Sequence, residues 1–276
     1  MQNAKDLFDL TGRVAVITGG TGLLGRQHAE AIARAGGIPV LADIRIDGVD
    51  TRSREWKERF GEQACSLQTD ITDPESVKNL LAAVLDRFGR IDILINNAAN
   101  NPKMENKADV EFSRLEFFPL DQWEADLNVG LKGAFLCSQV IGSEMARRRQ
   151  GVIVNVASDL AVIAPDQRLY RKPGLADDKQ PVKPVTYSVV KTGLIGLTRY
   201  LATYWADSGI RVNSISPGGV YNNQPDDFVE RLARLIPLGR MANANEYQAA
   251  ILFLCSDASS YMTGSNLVID GGRSCW

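Results

Sequence analysis

The sequence predicts an α/β protein, a single domain with a doubly wound parallel sheet of about seven strands and helices on both faces. Short apolar runs of strand length alternate with segments whose apolar residues recur at helical spacing. A glycine-rich turn directly follows the first apolar run, and the alternation continues without a break through residue 95. Strands that alternate with helices pair in parallel through right-handed crossovers. One domain over residues 1–276 lies within the size range of such sheets.

The individual elements follow from local patterns. Continuous apolar runs, typical of strands buried on both faces, predict strands over 14–17, 38–42, 64–69, 91–95, 151–157, 210–215 and 267–269. Helical spacing predicts helices over 26–35, 51–60, 121–148, 187–205, 228–235 and 246–255, and another that begins at Pro74 with Asp73 as its cap. Two glycines just after Asn128 predict close packing or a kink. Residues 100–120 and 159–186 are predicted to be loops.

Composition narrows the function classes. Apolar residues make up 45% of the chain, and the net charge of −2 gives no electrostatic reason to expect nucleic acid or a membrane surface as partner. No signal peptide or membrane-spanning run is expected. The four cysteines form no CxxC pair, so we expect reduced thiols, a cytoplasmic protein and no metal site. The single histidine, His28, falls inside the first helix, which favours a packed or solvated role over a catalytic one.

The glycine turn predicts a dinucleotide site of the Rossmann type. Gly20, Gly22 and Gly25 match GxGxxG between a buried strand and a helix, so the backbone can approach a pyrophosphate at the helix N-terminus. Asp43 ends the second strand, where a carboxylate can bind the ribose hydroxyls and repel the 2′-phosphate of NADP(H). Arg45 would partly offset that repulsion. NAD(H) is therefore the expected cofactor, with NADP(H) as the alternative.

Three further residues predict hydride-transfer chemistry. Tyr187 and Lys191 are four apart on a predicted helix and share a face. An ammonium beside a phenol favours the phenolate, which lowers a pKa near 10 toward working pH. Such a pair is a weak signal alone, but Ser158 stands at the carboxyl end of the fifth strand, where ligands bind in open α/β sheets. These side chains can exchange a proton with a substrate oxygen.

Taken in order, the motifs resemble the short-chain dehydrogenase/reductase family over essentially the whole chain. They are Thr18-Gly19 with the glycine turn, Asp70-Ile71, Asn96-Asn97-Ala98-Ala99, Asn128, Ser158, Tyr187 with Lys191, and Pro217-Gly218. The resemblance implies that Tyr187 is the general acid/base and that Lys191 binds the nicotinamide ribose while lowering the tyrosine pKa. It further implies that Ser158 orients the carbonyl or hydroxyl, and that Asn128 supports a water-linked proton path past Lys191.

The resemblance also implies which residues bind the cofactor. They are Gly19, Thr21, Gly22, Leu24 and Gly25 in the turn; Asp43, Asp70 and Ile71 at the adenine end; Asn97, Ala98 and Ala99 at the central ribose; and Tyr187, Lys191, Pro217, Gly218 and Val220 at the nicotinamide. The turn departs from the family's usual TGxxxGxG, because its TGGTGLLG matches the TGxxGxxG of extended members. The final glycine spacing is unchanged, so we expect altered packing and retained binding.

A second departure is the long separation between Ser158 and Tyr187, which exceeds that of typical family members. The excess falls in 159–186, where a loop covering the substrate is expected. This segment carries Arg168, Arg171, Lys172, Lys179 and Lys183. The sequence leaves two hypotheses open for them, a clamp for a phosphate or carboxylate on the substrate and ordinary solvated surface charge.

A narrower resemblance concerns the substrate. The chain is similar to bacterial short-chain oxidoreductases of flagellin modification, associated with sialic-acid-like sugars, in APDQRLY (164–170), KPVTYSVVKTGLIGLTRYLATYW (183–205), PGGVYNNQ (217–224) and DGGRSCW (270–276). It implies an NAD(H)-dependent oxidation or reduction on a sugar or phosphorylated sugar. A 3-oxoacyl or small polyol reductase is the enzymatic alternative, and a non-catalytic dinucleotide-sensing protein the alternative of another class. Helix 187–205, with Tyr200, Tyr204 and Trp205, implies a homotetramer, with a homodimer next.

Overall fold

The computed structural model describes residues 4–46, 49–51, 53–100 and 113–276. Its seven strands are β1 (Val14–Thr18), β2 (Ile38–Asp43), β3 (Cys65–Gln68), β4 (Ile93–Asn96), β5 (Gly151–Val156), β6 (Ile210–Pro217) and β7 (Asn266–Ile269). They form one sheet in the order β3-β2-β1-β4-β5-β6-β7, and every neighbouring pair is parallel. The predicted fold class is confirmed.

The order of the strands places a switch point between β1 and β4. From β1 the chain winds outward through β2 to β3, then crosses back to β4 and continues outward in the opposite direction. Ligands of such sheets bind at the carboxyl ends of the strands beside this switch point. The glycine turn after β1 and the residues after β4 meet at that edge.

Helices cover both faces of the sheet. Their bounds are α1 (Ala4–Leu7), α2 (Leu23–Arg34), α3 (Arg54–Phe60), α4 (Pro74–Phe88), α5 (Leu120–Leu127), α6 (Gly133–Cys137), α7 (Ser143–Arg148), α8 (Val185–Tyr204), α9 (Asp226–Ala233) and α10 (Gln248–Cys255). The Asp73 side chain accepts a hydrogen bond from Glu75 N–H, so the predicted cap of α4 is present. None of the described helices is both long and apolar enough to span a bilayer.

Each face of the sheet has its own core because successive strand residues point to opposite sides. On one face Val14 and Val16 pack with α4, α6, α7 and α8. On the other, Ala15 and Ile17 pack with α2, α3 and α10. His28 is fully buried within α2, and burial lowers its pKa to about 4, so the imidazole is neutral at physiological pH.

The predicted helix 121–148 is continuous but not uniform. Two single π-helical turns, Asn128–Lys132 and Ser138–Gly142, separate α5, α6 and α7. A β-carbon on Gly130 would lie 2.4 Å from Val190 of α8, so the glycine allows the two helices to pack closely, as the sequence predicted.

The segment 159–186 is more structured than a plain loop. It contains 3₁₀ turns at Asp159–Ala161, Gln167–Tyr170 and Asp177–Lys179. The buried Gln180 amide donates to the carbonyls of Lys172 and Leu175 and accepts from Lys172 N–H. These hydrogen bonds stabilise the fold of residues 172–180. Of the other predicted loop, 100–120, residues 101–112 lie outside the described part of the chain.

Candidate active site

The glycine turn is tightly packed against the neighbouring strands. Gly19 adopts a left-handed φ of +61°, and a β-carbon there would lie 2.8 Å from Ala98 Cα in the segment after β4. At Gly25, a β-carbon would lie 2.2 Å from the Gly19 carbonyl oxygen. Glycine at both positions therefore lets α2 begin directly behind β1, with its first N–H groups facing the carboxyl edge of the sheet.

A cleft of about 620 Å³ follows this edge from β1 past β2 and β3. Ten of the sequence-predicted cofactor residues line it: Gly19, Thr21, Gly22, Leu24, Asp43, Asp70, Ile71, Asn97, Ala98 and Ala99. Gly25 lies beneath the turn and is buried, so its contribution is to the packing of the turn. Arg45 also lines the cleft.

Asp43 is held in place where this cleft passes the end of β2. Its Oδ2 accepts hydrogen bonds from Thr21 Oγ1 at 2.6 Å and from Thr21 N–H at 3.1 Å, and its Oδ1 accepts from Arg45 N–H at 3.2 Å. The carboxylate is partly buried, so the remaining lone pairs face the cleft. Asp70 similarly accepts from the backbone and hydroxyl of Thr72.

The residues after β4 are joined to the glycine turn. Thr18 Oγ1 accepts from the N–H groups of Asn97 and Ala98, at 3.0 and 3.1 Å. The Asn97 side-chain amide donates to the carbonyls of Thr18 and Gly19, at 3.0 and 3.1 Å. This network fixes the middle of the cleft, where the resemblance implied contacts with the central ribose.

A second cleft, of about 330 Å³, continues the first. The two share Leu23, Leu24, Asn97 and Ala99. The second is also lined by Ser158, Tyr187, Lys191, Pro217, Gly218 and Val220, the remaining predicted residues apart from Asn128. The carboxyl edge therefore offers one extended groove that ends at the predicted chemical centre.

Ser158, Tyr187 and Lys191 come together at the end of this groove. Ser158 is buried at the carboxyl end of β5, and its Oγ accepts from Leu160 N–H at 3.2 Å and donates to Asp159 Oδ1 at 2.9 Å. Lys191 Nζ donates to the carbonyl of Val156 at 2.8 Å and lies 5.9 Å from the centroid of the Tyr187 ring. Tyr187 and Lys191 are one turn apart on α8, as predicted.

Asn128 is placed differently from those three. It opens the first π-helical turn next to α8, but its side chain is exposed and is absent from the described walls of both clefts. A water-sized cavity of about 20 Å³ instead lies between α5 and α8. It is lined by Tyr187, Lys183 and Lys191 together with Asp126 and Asn100, among others.

Burial dominates the protonation of the site. It raises the pKa of Tyr187, and the charge of Asp159 adds to that effect, while a hydrogen bond with Ser158 works in the opposite direction. It lowers the pKa of Lys191 to about 8, and the nearby Lys183 ammonium contributes to that shift. The net shift of the Tyr187 pKa is therefore upward, opposite to the direction that the resemblance implied, because burial of the phenol is the largest effect.

The five basic residues of 159–186 do not form one clamp. Arg168 pairs with Asp166 at 2.7 Å, with the Arg168 side chain 80% exposed, and Arg171 lies 3.6 Å from Asp177. Lys172 and Lys179 are exposed. Lys183 alone of the five lines the second cleft, with Nζ 3.8 Å from the centroid of the Tyr187 ring.

Sequence reasoning missed a buried ion pair in the same cleft. Arg273 Nη1 donates to Asp159 Oδ2 at 2.7 Å, and the two side chains are 8% and 4% exposed. Both residues line the second cleft. Asp159 could have been suspected from its place directly after Ser158, but no local pattern connects it with an arginine beyond β7. In the described part of the chain, no group of three or more histidine, cysteine or acidic side chains is placed to hold a metal ion.

Comparisons with known proteins agree on the type of enzyme. A family model described as short chain dehydrogenase matches residues 13–170, and one described as Enoyl-(Acyl carrier protein) reductase matches residues 176–274. An NAD-dependent glycerol dehydrogenase from Listeria innocua is 34% identical over 270 residues, which span 96% of this chain and 95% of that protein. An NADP-dependent mannitol dehydrogenase from Alternaria alternata is 31% identical over 275 residues, spanning 97% and 94%.

The fold of solved relatives matches over the full length. The crystal structure of a gluconate 5-dehydrogenase from Burkholderia cenocepacia, in complex with NADP and tartrate, superposes with a TM-score of 0.85. The two sequences are 28% identical, and the match covers 99% of this chain and 100% of that one. The similar proteins thus include enzymes named for either nicotinamide cofactor.

Proposed function

The chain belongs to the short-chain dehydrogenase/reductase family, and within that family we propose that it is an NAD(H)-dependent enzyme that interconverts a secondary alcohol and a ketone on a sugar or sugar derivative. The observation that carries the proposal is the meeting of Ser158, Tyr187 and Lys191 at the end of a groove lined by the glycine turn. We further propose that residues 1–276 form one functional unit, since residues at or just after the carboxyl ends of all seven strands line the groove.

The groove fits a nicotinamide dinucleotide. The glycines of the turn leave backbone where a β-carbon would collide, and the first N–H groups of α2 face the groove, as a pyrophosphate requires. Asp43 would hold the adenine ribose, Asn97, Ala98 and Ala99 the central part, and Lys191, Pro217, Gly218 and Val220 the nicotinamide end. When bound, the nicotinamide would take up or supply the hydride.

The proton would be handled by the chain itself. In oxidation, Tyr187 takes the hydroxyl proton of the alcohol while the hydride leaves the carbinol carbon. In reduction, the Tyr187 phenol returns a proton to the carbonyl oxygen. Ser158 orients that oxygen. The Lys191 ammonium stabilises the phenolate, and the water-sized cavity beside Tyr187 and Lys191 gives the proton a route onward. Asp126 and Asn100 line that route, which the resemblance had implied for Asn128.

Asp43 supports NAD(H) over NADP(H). Its carboxylate lies in the wall of the cleft, anchored by Thr21 and by the backbone of Arg45, so a 2′-phosphate there would meet a fixed negative charge. Since relatives use either cofactor, the preference is a property of this local arrangement and can be tested by substitution.

The substrate class is supported by the relatives' names and by the polar side chains of the second cleft. The proteins named above act on glycerol, mannitol and gluconate, and Asn222, Gln224 and Tyr170 offer hydrogen-bonding groups in the cleft wall. The narrower likeness to flagellin-modification enzymes remains part of this proposal. A 3-oxoacyl substrate is the second candidate, since a 3-oxoacyl-[acyl-carrier-protein] reductase from Thermotoga maritima is 32% identical over 268 residues, which span 95% of this chain and 98% of that protein.

We also propose a cytoplasmic homotetramer, with a homodimer next. Tyr200 and Tyr204 stack at 5.7 Å on α8 and are 63% and 65% exposed, a large aromatic surface that a partner copy would cover. Trp205, grouped with them in the sequence, is buried in the core and takes no part in that surface. Light scattering of purified protein tests the assembly, and a monomer would contradict it.

The proposed activity is tested by NADH formation from NAD⁺ with a panel of sugars and polyols, each with its phosphorylated and nucleotide-linked form. Reduction of a 3-oxoacyl thioester by NADH is measured in parallel. Turnover of a carbohydrate supports the first proposal, and turnover of the thioester alone supports the second candidate. Binding of NADH without turnover of any alcohol, ketone or thioester would instead support a non-catalytic sensor, for which the comparisons offer no precedent.

A further inference from the structure

We propose that the substrate carries a carboxylate close to its reacting carbon, and that Lys183 is the residue that binds this group. The inference rests on the proposed function, since it takes the second cleft as the place where the substrate lies. It narrows the substrate from sugars in general to hydroxy and keto acids of the sugar type.

Lys183 is fixed beside the chemical centre. It comes four residues before Tyr187, in the turn that enters α8, and its backbone N–H donates to Gln167 Oε1 at 2.8 Å. The next residue, Pro184, is buried and precedes the first turn of the helix. With both sides of the backbone anchored, the ammonium lies 3.8 Å from the centroid of the Tyr187 ring and reaches both the second cleft and the small cavity behind it.

The charges in the cleft wall favour an anion. Among the described lining residues the cationic side chains are Lys183, Lys191 and Arg273, and the single anionic one is Asp159. Asp159 is already neutralised by Arg273 at 2.7 Å. The wall is thus positive overall, and most positive where Lys183 and Lys191 flank Tyr187.

The ammonium of Lys183, a residue that is partly buried, gains from an anionic partner in the cleft. Burial lowers the pKa of Lys183 to about 8, although the carboxylates of Asp159 and Asp126 act to raise it. Asp126 lines the water-sized cavity and not the second cleft. Its carboxylate there accepts hydrogen bonds from Thr186, Gln122 and Asn100. A carboxylate in the cleft would therefore stabilise the charged form of Lys183 and receive a charge-assisted hydrogen bond from it.

Position decides where on the substrate the carboxylate is attached. The ammonium lies over the same ring whose hydroxyl would exchange the proton with the substrate. A group that contacts both must span a short distance, so the carboxylate belongs near the carbinol carbon rather than at the far end of a long chain. The other basic residues of 159–186 point to solvent or to neighbouring acids.

The test measures binding to the enzyme–NADH complex, so it does not depend on turnover. The complex is titrated with threonate and with threitol, which differ only by one terminal carboxylate, and NADH fluorescence is the readout. The proteins are the natural chain, Lys183→Met, the charge-conserving Lys183→Arg, and Lys172→Met, an exposed lysine of the same segment.

We expect threonate to bind the natural chain about 10- to 100-fold more tightly than threitol, the range given by one charged hydrogen bond. Lys183→Met should abolish that ratio with little change for threitol, Lys183→Arg should keep most of it, and Lys172→Met should match the natural chain. Equal affinities in the natural chain, no binding of threonate, or an equal weakening of both ligands by Lys183→Met would overturn the inference. Failure to bind NADH at all would overturn the proposed function, and this inference with it.

Discussion

Arg273 and Asp159 form an ion pair that connects the turn after β7 with the end of β5, with 2.7 Å between Nη1 and Oδ2. The other oxygen of the same carboxylate, Oδ1, accepts a hydrogen bond from the Ser158 hydroxyl at 2.9 Å and another from Leu160 N–H at 2.8 Å. The Arg273 guanidinium thus orients the Asp159 carboxylate, and this carboxylate in turn orients the Ser158 hydroxyl. All three side chains are buried. The wall of the substrate cleft therefore depends on two residues far apart in the sequence.

Replacing Arg273 with methionine should cost about 3–5 kcal/mol in the free energy of unfolding, because Asp159 would remain buried without its counterion. Urea denaturation measures the loss. The double variant Asp159→Asn/Arg273→Met should recover much of it, since no lone charge is then buried. Arg168→Met removes an exposed pair and should cost under about 1 kcal/mol. Similar losses for Arg273→Met and Arg168→Met would show that the buried pair has no special importance.

Tyr187→Phe should lower kcat by about three orders of magnitude, near the middle of the range for loss of a general acid/base, while the affinity for NADH stays within a factor of about three because ring and helix are kept. Steady-state kinetics on the substrate found in the panel, with a separate NADH titration, give both quantities. Tyr261→Phe removes the hydroxyl of a fully exposed tyrosine outside the groove and serves as the control. Full turnover by Tyr187→Phe would exclude Tyr187 as the acid/base.

The sheet and most helices were predictable because their signals are local. Val14 to Ile17 form one apolar run of strand length. Where such runs alternate with helical segments, a run of this kind predicts a buried strand. Tyr187 and Lys191 were found for the same reason, since four residues on a helix fix their shared face. The position of Ser158 followed from the end of a strand.

What the sequence could not predict depends on distant contacts. Asp159 and Arg273 are 114 positions apart in the sequence. They meet only because the turn that follows β7 packs against the end of β5. Lys183 was one of five similar basic residues, and nothing in their spacing distinguishes the one that lies against Tyr187. The pKa of Tyr187 was expected to fall, but burial, which depends on the folded packing, raises it. The exposed side chain of Asn128 likewise depends on how the π-helical turn rotates it.

Asp43→Asn should shift the cofactor preference toward NADP(H). Removing the charge abolishes repulsion of the 2′-phosphate and leaves a group that still hydrogen-bonds Thr21, so kcat/KM with NADP⁺ should rise about tenfold and fall with NAD⁺. Asp86→Asn, an exposed change on α4, controls for net charge. An unchanged ratio of the two kcat/KM values would mean that Asp43 does not set the preference.

Gly25→Ala should abolish cofactor binding, because the new methyl group would lie 2.2 Å from the Gly19 carbonyl oxygen and displace the turn. Gly196→Ala is the matched control, since that exposed glycine of α8 has no neighbouring atom within 4 Å of the added carbon. There we expect a gain of about 0.5–1 kcal/mol in the free energy of unfolding. NADH titration and urea denaturation of both variants test the contrast. Tight NADH binding by Gly25→Ala would show that the turn can yield.

The buried Lys191 should make stability depend on pH in a defined direction. Its pKa is lowered to about 8 in the folded chain, below the usual lysine value of 10.5, so between these two values the unfolded chain binds more protons. Stability should therefore rise with pH from about 8, relative to Lys191→Met, by on the order of 1–3 kcal/mol. Measurement is best confined to pH 8–10, since Tyr187, whose pKa is raised, opposes the trend above pH 10.

The variant serves as its own reference for groups that do not interact with Lys191, whereas Lys183, whose pKa is also lowered to about 8, interacts with Lys191 and contributes to the measured difference. Burial raises the pKa of the Cys65, Cys137 and Cys255 thiols, which would lower stability as the pH rises, but this effect is common to both proteins and cancels in the difference. Chemical denaturation of both at several pH values gives the slope. A difference that stays flat from pH 8 to 10 would mean that Lys191 keeps its ordinary pKa, with the Val156 carbonyl and the water-sized cavity solvating its charge as well as bulk water does.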